Sequence, residues 1–141
     1  MLKSPVLRFG LIILIFMAML VSGCSSMKKN NKADALHYAT LHYAKALRWN
    51  DYEGAMQMTR LPDGQKDDVD LDYLKNIKVT HYDVSQSVMA EDEATGYVTL
   101  YLDYYNEYVN SVHSIVVDQT WKYDEELKQW LCATPMPKFK P

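Results

Sequence analysis

The chain is poor in cysteine, glycine and proline, with two, five and five of them in 141 residues. Two cysteines cannot build a disulfide scaffold. So little glycine and proline excludes a collagen-like or low-complexity chain. Concentrated positive charge is also missing: Lys and Arg total 15 against 18 Asp and Glu, for a formal charge of −3. Nucleic acid is therefore excluded as an expected partner, because phosphate contacts need clustered Lys and Arg. No nucleophile motif, phosphate-cradling glycine loop or metal-ligand spacing occurs. His37 and His42 are five positions apart. On a helix that separation is about 500°, so the rings face about 140° apart and cannot share an ion. The acidic run from Asp67 is no calcium loop, since Asp72 and Lys78 stand where such a loop needs glycine and a bidentate glutamate. No metal and no cofactor is expected. Long apolar runs are missing as well. The longest, Phe9 to Leu20, makes about 18 Å of helix against a hydrocarbon core of about 30 Å. It is too short for a permanent span.

What that run does have is context. Lys3 and Arg8 precede it and the small residues Ser22 and Gly23 come after it, directly before Cys24. This is the charged, apolar and small-residue order of a secretory leader. Val21-Ser22-Gly23-Cys24 resembles the recognition box of bacterial lipoproteins. The resemblance implies a signal peptide over residues 1–23, cleavage between Gly23 and Cys24, and diacylglycerol (with palmitate-type chains) on the Cys24 thiol. Two or more acyl chains give stable anchoring, at about 0.8 kcal/mol per buried methylene. Ser25 carries no inner-membrane retention signal. The resemblance therefore implies an anchor in the outer membrane facing the periplasm, if the source has two membranes.

Residues 24–141 are enough for one domain with one core. Lys3 and Arg8 leave with the leader and no acidic residue does, so the formal charge of the remainder falls from −3 to −5. Such a domain stands off an anionic membrane. With Cys24 lipidated, Cys132 is left alone and is expected to be buried packing. Eleven tyrosines suit half-buried strands or a contact surface.

Residues 24–32, lacking apolar periodicity, read as a lipidated cysteine and tether, and 33–141 as the domain. Leu36, Ala39, Tyr43 and Ala46/Leu47 recur at helical spacing, predicting a helix from Asp34 to Arg48. Asn50 and Glu53 have capping-box spacing before a second helix, Asp51 to Thr59. Leu61-Pro62-Asp63-Gly64 is a turn. A third helix is expected over Lys66 to Leu74, with Asp67, Asp68 and Asp70 in its first turn. From Ile77 the period becomes two. Strands are expected at Ile77–Met89, at Ala94–Tyr105, through Ile115 to Tyr123, and at Lys128–Thr134. In the second, Val98, Leu100, Leu102 and Tyr104 share one face and Tyr97, Thr99, Tyr101 and Asp103 the other. Short polar turns make neighbouring strands antiparallel. The fold class is α+β, with helices on one face of a curved sheet of about four strands.

A helix running into "WNDYEGAMQM", then a long antiparallel sheet, resembles the NTF2-like superfamily. So does the closing "VVDQTWKYDEELKQWLCATPMPKF", with aromatics Trp121 and Trp130 about an acidic turn and then Pro137-x-Phe139. The resemblance covers Ala33 to Phe139 and implies a conical pocket between sheet and long helix, with Tyr43, Met56, Trp121 and Trp130 as its possible lining. Enzymes of this fold project a carboxylate with tyrosine or histidine into the cone. Here those would be Asp103, Tyr101, Tyr105, His81 and His113, but Asp103 falls on the face expected to be solvated. No catalytic residue is assigned and no enzyme is expected. The reading reached is a lipid-anchored envelope protein acting as an interaction or assembly module. Its partners would be the membrane, through Cys24, and an envelope protein; a homodimer is left open. The alternative is a periplasmic carrier of a small lipid or envelope fragment.

Overall fold

The computed structural model describes residues 24–141, with side chains from residue 31 onward. The leader and Gly23 lie outside the described residues, as does the side chain of Cys24. The chain divides into two units, residues 1–32 and 33–141, and the second carries the sheet and the core. The elements are α1 (Cys24–Arg48, whose first residues belong to the first unit), α2 (Tyr52–Gln57), α3 (Leu71–Leu74), β1 (Ile77–Met89), β2 (Thr95–Asn106), β3 (Ser111–Asp124) and β4 (Gln129–Cys132). The strands form one sheet in the order β1-β2-β3-β4, each antiparallel to the next. Among the described residues no helix is long and apolar enough to cross a membrane.

Three helical expectations are corrected. Helix α1 already includes Cys24 and so runs well ahead of Asp34, because Ser25 to Ala33 contain neither proline nor glycine to stop it. The cap of α2 is Asp51, not Asn50: its carboxylate accepts the Gly54 N–H at 2.9 Å, while Asn50 sits at φ 61°. The third helix is a single turn capped by Asp70, which accepts the Tyr73 N–H at 3.0 Å. Asp67 and Asp68 lie before it in extended chain.

In β2 every second residue is buried, and Val98, Leu100, Leu102 and Tyr104 are at most 2% exposed. Tyr97 and Tyr101 face outward at 55% and 44%. Strand β1 does not alternate so simply. Its register against β2 slips between Val79 and His81 and again between Val84 and Gln86. Each bulge bends and twists the strand, which curves the sheet around the helix. The inward set therefore steps from Ile77 and Val79 to Tyr82 and Val84.

The core lies between α1 and the inner sheet face, with Leu36, Tyr43 and Leu47 meeting Leu100, Leu102 and Trp121, all fully or almost fully buried. Burial of each such side chain contributes about 1.5–3 kcal/mol. At Gly96 the helix packs against bare strand backbone. A Cβ there would lie 2.5 and 2.8 Å from the two methyl carbons of Leu36, so the missing side chain lets the helix approach β2.

The turns share one device, an Asp or Asn that satisfies the N–H groups just after it. Asp92 accepts from Ala94 and Thr95 at 3.0 and 2.8 Å, and Asp124 from Glu126 and Leu127, both at 2.9 Å. Asn106 does the same for Tyr108 at 2.9 Å.

Candidate functional site

Where sheet and helix diverge, the cone has a mouth, and the C-terminal residues of the chain occupy it. After β4, residues 133–141 have no regular secondary structure. Met136, Pro137 and Phe139 turn inward while Pro135, Lys138 and Lys140 stay exposed. Phe139 packs edge-on to Tyr104 at 4.9 Å and to Tyr52 at 6.2 Å between ring centres. Tyr43 donates from its hydroxyl to Met136 Sδ at 3.6 Å.

The backbone of this tail is gripped by side chains. Asp67 Oδ2 accepts the Met136 N–H at 2.9 Å, and Tyr73 donates to the Phe139 carbonyl at 3.3 Å. The Tyr104 hydroxyl accepts the Lys140 N–H at 2.7 Å. Asp67 thus leaves the expected helix because a partner distant in sequence recruits it. Beside the tail lies an open cleft of about 420 Å³ between Lys66–Leu74 and Pro135–Phe139, with Val69, Tyr73 and three aspartates in its wall.

The residues expected to line a pocket are placed as follows. Tyr43 and Trp121 are fully buried against each other, edge to face at 5.8 Å. Trp130 is 3% exposed and packs on Tyr123 at 5.3 Å. Met56 is half-buried against the core. The cleft by the tail is lined by other side chains.

Of the five groups weighed for catalysis, Asp103 and His81 are cross-strand partners on the outer face, with Tyr101 in the next outward row, and Asp103 accepts from Ser114 Oγ at 2.6 Å. Tyr105 alternates with buried Tyr104 and shares that outer face. Only His113 turns toward the cone: it stacks on Tyr104 at 5.3 Å, with Nε2 at 2.7 Å from Ser111 Oγ. His81, Asp103 and Tyr101 are thus neighbours on the outer face, away from the cone, and His113 is not among them. The residues that converge on the mouth of the cone, Asp67, Tyr52, Tyr73 and Tyr104, escaped sequence reasoning. Their signal was the Met136/Phe139 spacing in the tail, which Pro135 and Pro137 disguised as a mere stop. Among the described residues no group of three His, Cys, Asp or Glu could hold a metal ion.

Cys132 is buried, as expected, and its thiol is pushed up to about 12, chiefly by burial. Burial likewise raises Tyr43 well above the ordinary tyrosine value, with Cys132 and Asp67 adding to the effect. An unfolded thiol ionises near 8.5. The stability tied to Cys132 is therefore complete below about pH 8.5 and lost as pH climbs toward the folded value. The melting temperature of the native chain should fall through this range, and that of Cys132→Ala should stay flatter until Tyr43 begins to contribute above about pH 10. Equal slopes would contradict the assignment.

No model of a known protein family matches the sequence, and no curated protein matches it. A solved structure does match: a ketosteroid isomerase-like protein from Erwinia carotovora atroseptica. It is 13% identical, with a TM-score of 0.54, over 74% of this chain and 92% of that one. The fold is NTF2-like. At this identity the likeness speaks for architecture alone, and NTF2-like domains include enzymes and non-enzymes.

Proposed function

We propose that this protein is a lipid-anchored envelope lipoprotein whose NTF2-like domain is a non-catalytic interaction or assembly module. The observation that carries the reading is the closed cone. A chamber for a substrate would lie between sheet and helix. Here the tail packs Met136 and Phe139 against Tyr43, Tyr52 and Tyr104. The carboxylate best placed by sequence for base chemistry, Asp103, lies on the opposite face of the sheet. The anchor at Cys24 rests on the Val21-Ser22-Gly23-Cys24 box and the leader before it. Outer-membrane placement facing the periplasm rests on Ser25.

Tyr97 and Tyr101 on the outer sheet face supply the kind of amphipathic surface that protein contacts favour. A photo-crosslinking residue at position 101 in cells is expected to trap one or two discrete protein species. A smear equal to that from exposed position 125 would overturn the reading. The carrier alternative is favoured by one feature, the open cleft beside the tail.

A further inference from the structure

The tail is held as a ligand is held. Met136, Pro137 and Phe139 are buried, and the two large side chains among them, Met136 and Phe139, are three residues apart and anchor in the mouth. Three side chains from elsewhere in the fold, Asp67, Tyr73 and Tyr104, bond its backbone rather than its side chains. Any extended segment with the same two anchors would satisfy those donors and acceptors equally well. Charge is complementary too: outside the tail the cleft wall carries Asp67, Asp68 and Asp70 against Lys66 alone, and the tail adds Lys138 to it. Pro135 and Pro137 favour an extended backbone in the segment. No strand pairing fixes residues 135–141. Ordering such a segment costs entropy that offsets much of what two buried side chains and three hydrogen bonds contribute.

We propose that the mouth of the cone is a peptide-binding site, closed in the resting chain by Pro135–Pro141. The partner it takes is an extended, basic, proline-containing segment of another protein with large apolar side chains three residues apart. This deepens the interaction reading by assigning the surface through which a partner enters, and it depends on that reading for its biological sense. Displacement of the tail exchanges one set of contacts for an equivalent one. Binding is therefore regulated by how often the tail opens, the competent fraction setting the apparent affinity.

The test uses the mature protein purified from the envelope in mild detergent and a fluorescent peptide of the sequence of residues 133–141. The double variant Met136→Ala/Phe139→Ala weakens the tail, and its fold is checked by the near-ultraviolet signal of the buried tryptophans, Trp121 and Trp130. It should bind the peptide at least tenfold tighter than the unaltered chain does. Raising salt should weaken binding, and a peptide with alanine for phenylalanine should fail. A folded variant that ignores the peptide overturns the proposal, as does one that takes only a fatty acid probe, which would favour the carrier reading instead. Should the variant unfold, hydrogen exchange on the unaltered chain decides. The amides of Met136 and Lys140 should exchange at least a hundredfold faster than that of Leu102, by local opening. Equal rates would show that the tail leaves only when the whole domain unfolds, and the site would be refuted. A failure here with discrete crosslinks from position 101 removes the peptide site and leaves the interaction reading standing.

Discussion

Replacing Trp121 by alanine is expected to remove about 3–5 kcal/mol of stability, out of a total that for a domain is about 5–15 kcal/mol. Trp121 is fully buried, meets Tyr43 of α1 edge-on at 5.8 Å, and lies across from Gly96 on β2 and Cys132 on β4. It joins the helix to the sheet beside Gly96, where a side chain would collide with Leu36. Its loss leaves a cavity walled on every side by fixed groups. It also strips Gln119, 3% exposed, of the indole N–H that its Oε1 accepts at 3.2 Å. The Gln119 amide nitrogen has no partner among the described residues, so the variant would bury an amide with neither end satisfied. Urea unfolding should show a lower midpoint at unchanged slope. Tyr101→Ala, on the outer face at 44% exposure, should stay within about 0.5 kcal/mol. A Trp121→Ala loss below about 1 kcal/mol, or one matched by Tyr101→Ala, would mean that the inner face is not the core.

The second large effect concerns the membrane. Cys24→Ser keeps the size and hydrogen bonding of the side chain but removes the nucleophilic sulfur that a thioether needs. If Cys24 carries the lipid, the variant should incorporate no labelled fatty acid. The anchoring at stake is large: each buried methylene contributes about 0.8 kcal/mol, and two chains hold where one is marginal. Equal label in Cys24→Ser and the native protein would place the acyl chains elsewhere. No label in either would remove the lipoprotein assignment.

The sheet was legible because period-two alternation is a direct imprint of one buried face. Val98 to Tyr104 turn inward as their alternation predicts, and Ile77–Met89 has the bounds expected of it. The two bulges in β1 were not legible, since each is a one-residue slip that pairing decides and composition does not mark. Helix starts failed for a similar reason. Asp51 and Asp70 each cap a helix, yet nearby Asn50 and Asp67 offered equivalent chemistry. The choice was made by backbone conformation at Asn50 and by a distant N–H at Asp67. The outward position of Asp103 was legible from alternation alone. The tail was not, because its anchors pack against residues more than thirty positions away, beyond the reach of any local pattern.

The most direct test of the closed cone is native mass spectrometry of residues 25–141, exported and purified without lipid. Bare chain mass is predicted, as monomer or homodimer, because Met136 and Phe139 already fill the space that a small ligand would need. A reproducible additional mass of small-molecule size would contradict it, and would mean that the cone is a chamber after all.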